Sequence, residues 1–435
     1  MIKVIDAPCG LGKTSWAIQE IRENPDKSYV YCTPLLDEIQ RIRSACGYDN
    51  VKEPIPYNGT KIDDFDELLA RCENVAVTHS TFLNATATTI QNIAEGDYTL
   101  ILDEVLEVVT DFNSTQTVEA SPKQAIVKSD IEYLLSKNAI SIDNFGKVSW
   151  LDGEQGADFK FSAVKKYADS GRLYCVNGYF LLTVFPPEIF RAFKNVYVCT
   201  YLFKGTMFDN YFRLYGIEYE TASIGRDKIN HYCLLPYSDI ADKGFRHKCQ
   251  ELISMPIEEK YLIPKGLSKS WYEKAKTKDL EQLKKLVLSY KAKYLKTARA
   301  ESIMWTCPKD NKSQIEGKGY TIIRQMTKEE KQLPEKERKQ LETELSCFVP
   351  CNARATNIYR ERWALMYLIN THLKPMYIHF FQNAGGITPD SEHFALTTLI
   401  QWLCRSRLRD GKPVVLYLPS KRMREQLNGW LNGLV

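Results

Sequence analysis

Ile2-Lys3-Val4-Ile5-Asp6-Ala7-Pro8-Cys9-Gly10-Leu11-Gly12-Lys13-Thr14-Ser15 reads as a short apolar strand, a glycine-rich turn and the first residues of a helix that continues to about residue 21. Within it, Ala7-x-x-x-x-Gly12-Lys13-Thr14 has the form of a phosphate loop. Gly10 and Gly12 let the backbone turn its N–H groups inward around an anion, and the helix that follows offers its unpaired N–H groups to the same charge. Lys13 would reach the β- and γ-phosphate oxygens and Thr14 would supply a hydroxyl to Mg²⁺. The residues expected to hold a nucleotide are therefore Ala7, Gly10, Leu11, Gly12, Lys13, Thr14 and Ser15.

Working outward, the next informative run is Thr99-Leu100-Ile101-Leu102-Asp103-Glu104, an apolar strand that ends on two carboxylates. Strand ends line the ligand crevice of a parallel sheet, so Asp103 is expected beside Thr14 as a second Mg²⁺ ligand, and Glu104 is expected to polarise an attacking water. The alternative for such a pair is an ordinary polar turn after a buried strand. A phosphate loop earlier in the chain favours the functional assignment.

Further apolar runs at 2–5, 29–32, 75–77, 100–102, 196–199, 232–235, 303–305, 376–380 and 414–418 alternate with helix-like segments. Uniformly apolar strands between helices indicate parallel sheets covered on both faces, so the fold class is α/β with two doubly wound lobes. The lobes are read as 1–225 and 226–435. Turn signals at Ser121-Pro122, Asp152-Gly153 and Asn177-Gly178 interrupt this rhythm and mark an inserted β-rich subdomain at about 113–182. At about 264–299 the chain is lysine-rich and helical, with Leu280, Leu283, Leu286 and Leu288 as its candidate apolar stripe; its lysines suit either a solvated face or contact with a phosphate backbone. Residues 328–344 are charged enough for an exposed helix or loop.

A chain of 435 residues, 44% of them apolar, can bury the cores of two or three domains. Its net charge of +4 is only a weak bias toward polyanions. Twelve cysteines without a CxxC pair read as reduced thiols, and no stretch approaches the length of a membrane span, so a cytoplasmic location without membrane association is expected. Cys347 and Cys351 lack the second pair that a zinc site requires. Trp271, Tyr272, Trp363 and Trp402 lie near basic residues and could serve either as core or as base-stacking surfaces.

Asp103-Glu104-Val105-Leu106 resembles the box of superfamily 2 helicases of the DEAD/DEAH type, and other blocks follow in the family's order. The family also tolerates Ala at the first position of the phosphate loop, as at Ala7. Thr33-Pro34 and Val77-Thr78-His79-Ser80-Thr81 resemble blocks that contact nucleic acid, and Val198-Cys199-Thr200-Tyr201-Leu202 stands where a hydroxyl-bearing block couples hydrolysis to strand movement. Asn352-Ala353-Arg354-Ala355-Thr356-Asn357 resembles the fifth block, and Gln401-Trp402-Leu403-Cys404-Arg405-Ser406-Arg407-Leu408-Arg409 the sixth, which supplies arginine fingers from the second lobe. On one helix, Gln401, Arg405 and Arg409 would share a face at i, i+4, i+8. The sixth block departs from its usual Gln-x-x-Gly-Arg-x-x-Arg form, because Cys404 replaces the glycine and Leu408 the second arginine; the second finger is thus either Arg409 or Arg407.

The blocks span almost the whole chain and look most like the compact helicase-like proteins of tailed bacteriophages. The resemblance implies two RecA-like lobes, ATP and Mg²⁺ as ligands, and single-stranded nucleic acid as partner, with DNA ahead of RNA and other replication proteins as further partners. It assigns catalysis to Glu104, Arg405, Arg409 and Gln401, nucleic-acid contact to Thr33, Pro34, Thr78, His79, Arg354 and Thr356, and coupling to Thr200. The implied activity is an ATP-dependent helicase or translocase in phage replication or recombination. Two rivals share the phosphate loop: a DNA-packaging ATPase, which would add a metal-dependent nuclease domain, and an ATP-gated DNA-binding adaptor with little hydrolysis.

Overall fold

A computed structural model describes residues 1–56, 60–115, 125–151, 160–352 and 358–434. The chain divides into two compact units, the first made of Met1–Ala7, Gly12–Tyr237 and Leu373–Asp390, the second of Pro8–Leu11, Ser238–His372 and Ser391–Val435.

The first unit is built on a seven-stranded sheet. Its strands are β1 (Ile2–Asp6), β2 (Tyr29–Thr33), β3 (Val75–Thr78), β4 (Thr99–Asp103), β10 (Asn195–Thr200), β11 (Glu220–Arg226) and β12 (Tyr232–Pro236), in the order β12-β11-β1-β10-β4-β2-β3. Every pairing is parallel except the β11–β12 hairpin. Alternate residues of these strands enter different cores. Val4, Val30, Leu100, Leu102 and Val198 join Phe185, Phe190, Phe208 and Phe212 in one cluster. Ile5, Tyr31, Ile101 and Cys199 join Trp16, Ala17 and Ile21 of helix α1 (Lys13–Glu23) in another. Burial in both directions is why these strands read as unbroken apolar runs rather than alternating ones. Each large side chain so buried contributes about 1.5–3 kcal/mol.

The insertion after β4 carries β5 (Val109–Asp111), β6 (Ile140–Ile142), β7 (Val148–Trp150), β8 (Leu173–Val176) and β9 (Phe180–Val184). These make a β5-β9-β8 sheet and a β6-β7 hairpin, packed with the helices Lys128–Ser136 and Ser162–Asp169 over a core that includes Ile131, Leu134, Val148, Val164 and Leu181. Of the turn signals used to place it, Ser121-Pro122 and Asp152-Gly153 lie outside the described residues.

The second unit holds a parallel sheet of β13 (Ile253–Ser254), β14 (Ile303–Thr306), β15 (Ala364–Tyr367) and β16 (Val414–Tyr417), in the order β13-β16-β15-β14. The lysine-rich helix Thr277–Tyr294 buries Leu280, Leu283, Val287 and Tyr290, and Tyr290 stacks on Tyr417 with ring centroids 3.8 Å apart. Its apolar stripe continues through Val287 and Tyr290 instead of Leu286 and Leu288, which are only partly buried. Trp402 and Tyr272 are core residues; the Trp402 indole N–H donates to the Val349 carbonyl at 3.1 Å.

Two readings of the sequence need correction. The run 376–380 is a helix, Pro375–Gly385, and not a strand; it packs in the first unit, where Met376, Phe380 and Phe381 enter the phenylalanine-rich core and Phe380 meets Tyr174 edge-on at 5.3 Å. The strands of the second sheet that the apolar runs did not mark are β13 and β15. The boundary at 225/226 falls inside the β11–β12 hairpin, so the first unit's main segment runs on to Tyr237. Among the described residues no helix is long and apolar enough to cross a membrane.

Candidate nucleotide site

β1 ends at Asp6 and the chain turns at Gly10 and Gly12, whose φ values of 86° and 96° lie in the left-handed region. Gly12 caps α1, and the first turn of that helix has neither an acidic residue nor a side-chain cap. A helix start that lacks such internal partners is suited to an external anion. The loop is tied at its base, where the Ala7 N–H donates to the Thr200 carbonyl at 3.0 Å and Lys13 Nζ donates to the Ala7 carbonyl at 2.5 Å.

Parallel pairing brings the chemistry to one edge of the sheet. Asp6 is in register with Thr200 and Cys199 with Asp103, so the loop, the end of β10 and the end of β4 lie side by side. Asp103 therefore ends its strand close enough to the loop to feel the charge of Lys13. The donors that Thr14 and Asp103 offer, a hydroxyl and a carboxylate, are hard oxygens of the kind Mg²⁺ takes. Glu104 has φ 65°, a conformation that a residue with a side chain adopts at a cost of about 1–3 kcal/mol, and its N–H is held by the Cys199 carbonyl at 2.9 Å.

Asp103 sits in a polar nest. One of its carboxylate oxygens accepts from the Tyr31 hydroxyl at 3.1 Å and, more weakly, from Thr33 Oγ1 at 3.5 Å, while His79 Nε2 lies 2.9 Å from its carbonyl oxygen. Withdrawal from water, followed by the charges of Glu104 and Glu38, pushes the Asp103 carboxyl up to about 7, although Lys13 and Tyr31 pull the other way. An unfolded-chain aspartate loses its proton near pH ~4. Between about pH 4 and 7 the folded state thus holds a proton that the unfolded chain has lost, and stability falls as pH rises through that window. Asp103→Asn is accordingly expected to raise the unfolding temperature of the nucleotide-free protein by a few degrees at about pH 8 and to leave it unchanged at about pH 4. Equal midpoints for variant and wild type at the higher pH would contradict this account.

This geometry corrects two assignments. Thr33 and His79 are buried and face Asp103, so neither can touch a nucleic acid; their role is to hold the carboxylate and its backbone. Thr78 caps the short helix that begins at His79, accepting from the Thr81 N–H at 3.2 Å, and Thr78 and Pro34 are half-buried. Arg354 and Thr356 fall outside the described residues. Sequence reasoning missed Asp6, whose carboxylate accepts from the N–H groups of Leu202 and Phe203 at 2.8 and 2.9 Å. An aspartate at the last position of the strand before the loop was the available signal.

In the second unit the sixth block is not one helix. The helix Ser391–Leu403 stops before Arg405, and Arg407–Asp410 form a separate 3₁₀ turn, so the shared face expected for Gln401, Arg405 and Arg409 does not exist. Arg405 is 7% exposed and its guanidinium donates to the Gln401 carbonyl at 2.6 Å, closing the helix end. Arg407 donates to the Pro413 carbonyl at 2.5 Å and lies over Trp363. Arg409 is half-buried on the same 3₁₀ turn. Arg405→Ala should therefore destabilise the second unit by about 1–3 kcal/mol, by leaving a carbonyl unpaired, as well as slow any turnover. Thermal unfolding of Arg405→Ala beside wild type checks this, and equal midpoints would contradict it.

The fold is similar to that of a solved XPD structure. The chain superposes on a solved structure titled "XPD_APO" with a TM-score of 0.51, at 10% identity, covering 100% of this chain and 95% of that one. A second structure, of S. tokodaii Xpd4, gives a TM-score of 0.47 at 12% identity and covers 98% and 93% of the two chains. The chain belongs to the YonV family: it is 33% identical over 449 residues to the SPbeta prophage-derived uncharacterized protein YonV of Bacillus subtilis (strain 168), covering 99% of each. Residues 247–431 match the YonV C-terminal Rossmann-like domain, and residues 123–183 match the YonV middle domain, which coincides with most of the insertion.

Proposed function

We propose that this chain hydrolyses ATP to move along nucleic acid. The observation that carries the reading is the alignment of three features at one sheet edge: the Gly10–Thr14 turn, the Asp103-Glu104 terminus of β4 and the Thr200 terminus of β10. The triphosphate of ATP would lie along the turn, with Lys13 on its outer oxygens and Thr14 and Asp103 holding Mg²⁺. Bound there, Mg²⁺ supplies positive charge to the phosphate oxygens as the terminal bond breaks. Glu104 orients and polarises the attacking water, and Arg405 and Arg409 act on the charge that develops in the transition state.

Asp6 gives Thr200 a physical route to its coupling role. The same short segment that leads into the phosphate loop grips the backbone at 202–203, so a shift of the loop on hydrolysis would be felt directly after Thr200. The helicase-type fold and the motif order support single-stranded nucleic acid as the partner, with Pro34, Thr78, Arg354 and Thr356 as contacts. The prophage origin of the relative supports phage DNA as the natural substrate.

The test is ATP turnover by the purified full chain alone and with single- and double-stranded DNA and RNA. Stimulation of tenfold or more by single-stranded DNA is expected. Turnover indifferent to every nucleic acid would favour the adaptor, and metal-dependent nuclease activity would favour the packaging enzyme.

A further inference from the structure

Beside the phosphate-binding turn lies a pairing of an arginine with an aromatic ring that the phosphate chemistry does not use. Tyr232, the first residue of β12, lies against Gly12 so closely that a Cβ at Gly12 would fall 2.2 Å from the edge of the ring. Two hydrogen bonds fix Tyr232 to α1: its N–H donates to Gln19 Oε1 at 2.9 Å, and its carbonyl accepts from Gln19 Nε2 at 3.0 Å. Arg226, the last residue of β11, lays its guanidinium 4.2 Å from the ring centroid and donates to the Tyr232 hydroxyl at 2.6 Å and to Asn230 Oδ1 at 2.8 Å. The intervening turn is rigid, because the Asp227 carboxylate accepts from the N–H groups of Ile229 and His231 at 2.9 Å each.

Position and chemistry agree on what such a surface would take. β11 pairs in parallel with β1, so Arg226 stands at the carboxyl edge of the sheet, one strand from the loop, where open α/β sheets bind nucleotides. Arg226 is exposed, and its guanidinium, held over an aromatic ring by its bond to the ring's hydroxyl, forms a ledge on which a planar group can stack. We propose that the base of the bound nucleoside triphosphate stacks on the Arg226–Tyr232 ledge. The proposal rests on the assignment of the triphosphate to the loop around Lys13. Stacking positions the base by its plane, which every base possesses, and the Gln19 amide that could have read a base edge is already engaged by the Tyr232 backbone.

The experiment uses the full chain and two probes, 2-aminopurine riboside triphosphate and inorganic tripolyphosphate. Wild type should bind the analogue with quenching of its fluorescence. Arg226→Ala should weaken the analogue roughly threefold, and Arg226→Ala with Tyr232→Leu roughly tenfold with the quenching gone, whereas both should bind tripolyphosphate as wild type does. A double variant that unfolds at the wild-type temperature yet binds and quenches the analogue like wild type would overturn the ledge. Lys13→Ala should lose both probes; if it keeps both, the phosphate-loop assignment fails instead.

Discussion

Glu104→Gln is expected to leave ATP affinity within about threefold of wild type and to lower turnover by about 10²–10⁴, the usual contribution of a positioned general base. The two effects separate because the site holds this residue by its backbone. The Glu104 N–H is anchored on the Cys199 carbonyl, and the left-handed φ of 65° is set by the strand-to-loop turn, so glutamine inherits the same direction. Asp103 keeps its contacts to Tyr31 and His79, and binding through Lys13 and Thr14 is untouched. What glutamine lacks is the negative charge that draws a proton from water. Paired measurements of nucleotide affinity and steady-state hydrolysis decide the point, and a parallel loss of both would move Glu104 from chemistry to binding.

The parts of this site that were legible in the sequence are those encoded by contiguous residues. A phosphate loop needs its glycines, lysine and threonine within a few positions, and a strand ending in Asp-Glu advertises its own exposed edge. Features that depend on partners distant in sequence were not legible. His79 looked like a member of a nucleic-acid block because its neighbours fit the block, and only the fold shows its ring against the Asp103 carbonyl. Gln401, Arg405 and Arg409 have helical spacing, but the helix ends at Leu403; Ser406 then bonds its hydroxyl back to the Leu403 carbonyl and accepts from the Leu408 N–H, opening a new turn. A serine able to cap is a signal that spacing alone ignores.

The same physics explains the misplaced strand. Residues 376–380 and 364–367 are apolar runs of similar length, and periodicity cannot separate a buried strand from a buried helix over five residues. The punctuation could have done so. Pro375 occupies the first turn, where its missing N–H costs nothing, and Gly386 closes the helix with a φ of 66°. Nothing local signalled that this helix would pack against the first unit's core, since that depends on Tyr174 and Leu214 lying where Phe380 and Gly385 arrive.

Lys13→Ala should weaken ATP binding by at least about 10²-fold, equivalent to about 2.7 kcal/mol, and turnover should fall with it. An ammonium group contributes about 1.5–3 kcal/mol through a single charge-assisted hydrogen bond, and here it would face the most highly charged part of the ligand. Without ligand, Lys13 Nζ donates to the Ala7 carbonyl and so also ties the loop upon itself. Binding would therefore exchange one acceptor for another instead of organising a loose side chain, and truncation removes both interactions. The two roles can be told apart. If Lys13 acts mainly on the phosphates, the nucleotide-free variant unfolds within a few degrees of wild type, but the rise in unfolding temperature produced by saturating ATP disappears, because that rise tracks the ratio of ligand concentration to Kd. If it acts mainly as a tie within the loop, the ligand-free midpoint falls and the ATP-induced rise survives, and the phosphate-binding role assigned to Lys13 would have to be withdrawn.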